Sequence, residues 1–304
     1  TLSGTGSENF EVVNDQLKLK DGFSANYEVL NSYSITITAT DDAGHEKATT
    51  YPFQVTDVNE SPTDMSLSST ATDENSAGAV IGDLTTTDED IDDSHTYTLS
   101  GADADSFEIV NGQLKLKGSV TANYEVKSSY SVTVTTTDSG GLSTSKDFTV
   151  TINDINDKPT AVNLSGSLYV NENAAGGVVG NLTTTDEDAG DEHEYTLSGA
   201  DAVYFEVVNN QLKLKDDINP VYANQSSYNV TVTSTDSGGE AITESYTVEV
   251  NATPTDISLS SNSVNESSYG LSVGTIIATD PNSDDEFTYS ITGGADQDYF
   301  EIDS

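Results

Sequence analysis

Apolar and polar residues alternate strictly over short runs of this chain. In Ser129-Tyr-Ser-Val-Thr-Val-Thr, Tyr130, Val132 and Val134 fall on one face and serine and threonine on the other. Successive side chains of a β-strand point to opposite faces, so this period of two predicts a strand with one buried face. Threonine suits the outer face of a pleated sheet. Ser32-Tyr-Ser-Ile-Thr-Ile-Thr and Ser227-Tyr-Asn-Val-Thr-Val-Thr predict the same strand twice more. Phe148-Thr-Val-Thr-Ile and Tyr246-Thr-Val-Glu-Val alternate in the same way. In Leu114-Lys-Leu-Lys the leucines face a core and the lysines face water. Asn111-Gly, Ser139-Gly-Gly, Ser237-Gly-Gly and Ala43-Gly mark turns between strands. No segment has a convincing amphipathic-helix period.

The pattern repeats. Tyr97-Thr-Leu-Ser-Gly-Ala-Asp returns as Tyr195-Thr-Leu-Ser-Gly-Ala-Asp, 98 residues later. Gln-Leu-Lys-Leu-Lys starts at Gln16, Gln113 and Gln211, and Thr-Asp-Glu-Asp at Thr87 and Thr185. A repeat of this length suits one complete domain with its own core. The sequence divides into the back part of one domain (1–59), two whole domains (60–157 and 158–252) and the front part of another (253–304). The partial domains are expected to be frayed, or completed by further chain or by a neighbouring molecule. About seven strands per repeat predict an all-β tandem array of seven-stranded Greek-key β-sandwich domains, immunoglobulin-like in architecture. The expected core of the second domain is Leu67, Leu84, Tyr97, Leu99, Phe107, Ile109, Leu114, Leu116, Tyr130, Val132, Val134, Phe148, Val150 and Ile152.

Charge narrows the function. With 52 acidic and 10 basic residues the formal net charge is −42, and every basic residue is lysine. Such a chain lacks the cations that neutralise phosphates, which excludes nucleic acid as a partner. Self-repulsion on this scale opposes compact packing unless cations bind. With no cysteine, no disulfide fixes the joints between domains. No run of about 18 apolar residues predicts a membrane-spanning helix.

The acids gather near the domain boundaries. Around the second boundary stand Ala122-Asn-Tyr-Glu, Asn153-Asp-Ile-Asn-Asp-Lys-Pro, Asn171-Glu-Asn, Thr185-Asp-Glu-Asp and Thr235-Asp-Ser-Gly-Gly. Together these segments resemble the cadherin repeat in its bacterial cadherin-like form, as in large calcium-dependent extracellular adhesins. The resemblance covers essentially the whole chain. It implies a seven-stranded Greek-key sandwich with Ca2+ bound at the junctions. At the first junction the implied ligands are Glu28, Asp57, Asn59, Glu60, Glu74, Asp88, Asp90 and Asp138. At the second they are Glu125, Asp154, Asn156, Asp157, Glu172, Asp186, Asp188 and Asp236. Asn26 and Asn123 stand where the family usually has Asp, and Glu60 replaces the last linker Asp. The third junction keeps Glu266, Asp280 and Asn251. There Ala223 falls at an expected Glu, Glu249 and Ala252 replace the linker acids, and Asn282 replaces the second acid after the strand. Fewer or weaker ions are expected at that joint.

Calcium also follows from the donor types. It takes six to eight oxygen ligands in flexible geometry, whereas zinc and copper favour His and Cys. Asp88-x-Asp90-x-Asp92 is not an EF-hand loop, because the Gly and the closing Glu are missing. His95 and His193 read as loop residues flanking a strand. The recurring Tyr33, Tyr130 and Tyr228, and Tyr97, Tyr195 and Tyr289, read as architectural. Four Asn-x-Ser/Thr patterns, at Asn163, Asn181, Asn229 and Asn265, read as coincidental. No catalytic motif is present, so the chain is not read as an enzyme. The reading that follows is a calcium-rigidified stalk segment of a large extracellular or cell-surface adhesin. Its partners are neighbouring repeats of the same chain. The alternative is a module that itself binds like domains or surface polysaccharide in a calcium-dependent way.

Overall fold

The computed structural model describes residues 1–266 and 269–303. Ser267, which completes the pattern at Asn265, lies outside the described residues. The chain forms two compact units, Thr1–Ile155 and Asn156–Ser304.

Within the first unit, Asp64–Asn153 form two four-stranded sheets. One runs in the order Phe107–Val110, Gln113–Leu116, Val80–Thr87, Asp64–Leu67. The other runs Ala71–Asp73, Ser143–Asn153, Ser129–Thr137, Thr96–Ser100. The first strand serves both sheets. Its Asp64–Leu67 segment pairs antiparallel with Val80–Thr87, and its Ala71–Asp73 segment pairs in parallel with Ser143–Asn153. Seven strands thereby build the Greek-key sandwich. The preceding residues contribute a sheet of Leu2–Thr5, Ser32–Thr40 and Glu46–Gln54, with a hairpin of Phe10–Val13 and Gln16–Leu19. The second unit repeats the two four-stranded sheets between Ala161 and Asn251, then pairs Asp256–Leu259 with Ile276–Thr279. Among the described residues, no helix is long and apolar enough to cross a membrane.

All fourteen expected core residues of the Asp64–Asn153 sandwich belong to one packed cluster. Leu114, Leu116, Val132, Val134 and Val150 have no exposed surface. Met65, Ile81 and Ala122 are also buried there, although alternation did not mark them. Ile81 and Gly82 are consecutive and both buried, because the pairing slips between Leu114 and Lys115 opposite them. A bulge of this kind breaks the period of two. The recurring tyrosines are structural. Tyr130 meets Phe107 edge-on at 5.8 Å, and Tyr228 meets Phe205 likewise at 5.8 Å. The Tyr97 hydroxyl bonds Thr86, which in turn bonds the fully buried Thr136. The second unit repeats that chain as Tyr195, Thr184 and Ser234.

One ion pair is tied into the strands. Lys127 donates to Asp103, Ser131 N–H donates to the other Asp103 oxygen at 2.8 Å, and the ammonium lies 4.7 Å from the Tyr130 ring centre. In the second unit Gln225 donates to Asp201 at 3.1 Å in the same way. The Lys127 hydrogen bond, helped by Ser131 N–H, holds the Asp103 carboxyl below the ordinary range. A lowered carboxylate stabilises the fold above its unfolded value and loses that contribution as pH falls through the folded one. An NMR titration should find Asp103 ionising below the usual aspartate value near ~3.9. Lys127→Ala should return it upward.

Candidate metal centre

The acids at the start of the Asp64–Asn153 sandwich fall into two groups. In the first, carboxylate oxygens of Glu28, Asp57, Glu60 and Asp90 all lie within 4.8 Å of one another. Local hydrogen bonds set their positions. The turn before the strand at Ser32 is held by Asn26 Oδ1, which accepts from Val29 N–H at 2.8 Å. Val80–Thr87 ends immediately before Asp88-Glu-Asp, and Asp90 Oδ2 accepts from Glu60 N–H at 3.0 Å. Calcium holds oxygens at about 2.3–2.6 Å, so ligands on opposite sides of one ion are roughly 5 Å apart. All four carboxylates are therefore close enough to share an ion. Glu60 Oε2 is buried without a hydrogen-bond partner. Burial, then the facing charges of Asp90, Glu28, Glu89 and Asp57, push the Glu60 carboxyl up. The lysine ion pairs of the described residues involve Glu11, Asp21, Asp64, Asp103, Glu108, Glu206 and Asp216, none of them in this group. A buried bare oxygen amid unbalanced carboxylates fits a divalent cation.

The second group brings Asp88, Asp93 and Asp138 equally close. Asp138 is buried at the hairpin between Ser129–Thr137 and Ser143–Asn153. Burial raises its carboxyl, but hydrogen bonds from Asn59 and the N–H groups of Leu142, Gly141 and Gly140 outweigh it, and the net effect is downward. Asn59 connects the groups: its Nδ2 donates to Asp138 Oδ2 at 3.1 Å and to the Glu60 carbonyl at 3.0 Å. Its Oδ1 sits where a side chain on Gly140 would be, 2.1 Å from an added Cβ. Gly140→Ala should displace Asn59 and weaken calcium binding about tenfold, the loss of one well-placed ligand being worth roughly 1–2 kcal/mol. A calcium isotherm unchanged by the substitution would show that Asn59 has no part in binding.

The second unit contains the matching pieces. Asp186, Asp191 and Asp236 converge, and Asn156 Nδ2 donates to Asp236 Oδ2 at 3.1 Å. Asp157 N–H donates to Asp188 Oδ2 at 2.6 Å. Asn156 lies against Gly238 as Asn59 lies against Gly140. Glu125 and Asp154 belong to the first unit.

Two glutamates stand apart from the acids expected beside them. Glu74 does not join Asp88, Asp90 and Asp138. It is buried, and its oxygens accept from the N–H groups of Tyr124 at 2.6 Å and Ile155 at 2.9 Å. Glu172 does not join Asp186, Asp188 and Asp236, for it accepts from Tyr222 and Thr253 N–H. Each follows the second segment of the first strand, Ala71–Asp73 or Tyr169–Asn171, which runs parallel to the last strand, so each comes to rest where that strand ends. Glu266 is exposed.

At the third boundary Ala252 N–H bonds Asn282 Oδ1 at 2.7 Å, taking the place that Asp157 N–H takes on Asp188. Asn282 Nδ2 donates to the Val250 carbonyl at 3.1 Å. Glu249 is an exposed residue inside the strand Ala241–Asn251 rather than a linker residue. Asp280 keeps a buried bare Oδ2, but among the described residues no three-acid group forms around it.

Asp93 and Asp191 escape the motif pattern, whereas His95 and His193 stand as expected, each a loop residue immediately before a strand. Both histidines are largely buried and bond Asp88 and Asp186, each at 2.9 Å. The recurrence of Asp-x-His at the same offset from Thr-Asp-Glu-Asp was the available signal.

No family model matches the chain. Solved structures similar to it are cadherin extracellular domains. Protocadherin gamma B4 extracellular domain matches with a TM-score of 0.61 and 21% identity, over 92% of this chain and 47% of that one. PcdhgB3 EC1-4 matches at 0.58 and 21%, over 80% and 64% respectively. Mouse cadherin-23 EC22-24 matches at 0.56 and 22%, over 83% and 86%. This chain thus spans less than two thirds of the first two. At these identities the likeness shows the fold, tandem cadherin-like β-sandwiches.

Proposed function

We propose that this chain is a calcium-binding segment of an extracellular adhesin of the bacterial cadherin-like type, acting as a stalk. The convergence of Glu28, Asp57, Glu60 and Asp90 around a buried, unpartnered Glu60 oxygen carries the reading. Asn59, Asp88 and Asp138 complete the ligand supply at the first boundary. The repeat extends the same role to Glu125, Asp154, Asn156, Asp157, Asp186, Asp188 and Asp236, with domains at 1–59, 60–157, 158–252 and 253–304. Calcium, when bound, neutralises these carboxylates. The chain's own residues hold the acids together, exclude water from Glu60 and Asp138, and leave Asn59 bridging two acid groups. Neutralised acids at a boundary would let adjacent domains stay aligned, whereas bare ones drive them apart. The third boundary, with Ala252 and Asn282 in place of acids, is proposed as the most flexible joint.

Small-angle scattering tests the stalk role. Calcium should increase the maximum dimension and narrow the distribution of conformations relative to chelator. The same profile in both conditions would sink the stiffening. If calcium instead produces concentration-dependent association, the domains themselves adhere.

A further inference from the structure

We propose that Asp93 and Asp191 are metal-ligand carboxylates beyond the ligand set expected from the sequence, each adding a third full charge to an ion site at the edge of one sandwich. The inference rests on the calcium reading above and extends its ligand set. Asp93 Oδ1 is fixed by the Ser139 hydroxyl at 2.6 Å, while Oδ2 is buried with no partner. The carboxylate stands within 4.8 Å of Asp88 and Asp138 oxygens. The second unit repeats each feature: Ser237 holds Asp191 Oδ1 at 2.8 Å, Asp191 Oδ2 is buried and bare, and Asp186 and Asp236 converge with it. A buried charged acceptor without a donor is costly, and two such atoms at equivalent positions call for a cation.

The surrounding groups leave this carboxylate nothing else to do. Asp138 accepts one hydrogen bond on each oxygen, from Asn59 Nδ2 and Leu142 N–H, and keeps a lone pair on each for an ion. Asp88 accepts from Asp90 N–H on Oδ1 and from His95 on Oδ2. A carboxylate only accepts, so His95 Nε2 carries the hydrogen. His95 thereby acts as a positioning residue that orients Asp88, in the manner of an outer-shell partner. Three carboxylates against one divalent ion raise its affinity through charge count. Without the ion, the same three repel one another.

The test is Asp93→Asn with Asp191→Asn, singly and together, in the full chain. Asparagine keeps the shape and one acceptor oxygen but removes the charge. Calcium isotherms should show one ion per altered site bound at least tenfold more weakly. Melting in chelator should be unchanged or higher, because repulsion is relieved. An isotherm identical to wild type overturns the proposal. So does a fall in melting temperature as large in chelator as in calcium, which would make Asp93 a structural residue. Failure of the unaltered chain to bind calcium overturns the calcium reading itself and is read separately from the variants.

Discussion

Saturating calcium is expected to raise the melting temperature by about 10 °C or more for each filled site, relative to chelator. A ligand that binds only the folded state stabilises it by about 2.7 kcal/mol at a hundredfold excess over Kd. One kcal/mol moves the midpoint of a domain this size by roughly 4–8 °C. An extracellular module would bind with a Kd of about 10⁻⁴–10⁻³ M, so calcium near 10 mM reaches that excess at the tight end of the range, and about 100 mM reaches it at the weak end. The effect is large here because the apo chain starts at a disadvantage. Its formal charge is −42, and Glu28, Asp57, Glu60 and Asp90 crowd together with one Glu60 oxygen bare. Magnesium should do much less, since it demands stricter octahedral geometry and sheds water reluctantly. Sodium chloride at matched ionic strength measures simple screening. Scanning calorimetry in the four conditions checks this. An equal rise in sodium chloride would reduce calcium to a counterion.

Leu114→Ala should cost the Asp64–Asn153 sandwich about 2–5 kcal/mol, the range for truncating a buried leucine. Leu114 has no exposed surface and packs with Leu116, Val132 and Val134 in one cluster. Its strand pairs Gln113–Leu116 with both Phe107–Val110 and Val80–Thr87, so a cavity there loosens three strands. The loss should be the same in calcium and in chelator, because Leu114 belongs to the hydrophobic cluster and to none of the acid groups. Leu212→Ala, equally buried in the second unit, should lower only its own domain's transition. Denaturant melts of both variants read these losses. A cost below about 1 kcal/mol for Leu114→Ala would contradict the close packing of that core.

The strands and the core were legible because a sandwich with one buried face writes a period of two into each strand. The fourteen core positions of the Asp64–Asn153 sandwich came from that period alone. Ile81 escaped it because a bulge places two successive residues inward. Most of the acids at the first boundary were legible through the repeat and the cadherin-like motifs. The end of the sandwich to which an acid travels was not, since it depends on strand direction. Glu74 lies after the segment that pairs in parallel with Ser143–Asn153, and this carries it to Ile155 rather than to Asp88. The third boundary was misaligned at Glu249 because the chain between the last strand and the next domain is shorter there, so Ala252 already reaches Asn282. Asp93 and His95 fell in a loop whose register only the folded contacts fix.

The boundary acids are proposed as ion sites rather than solvated surface. Calorimetric titration of the unaltered chain with calcium, beside Asp90→Ala, tests it most directly. Saturable binding of several ions at millimolar calcium or below is expected, with at least one ion lost or weakened more than tenfold in Asp90→Ala. No binding at millimolar calcium, or an Asp90→Ala isotherm that overlays the unaltered one, would contradict it.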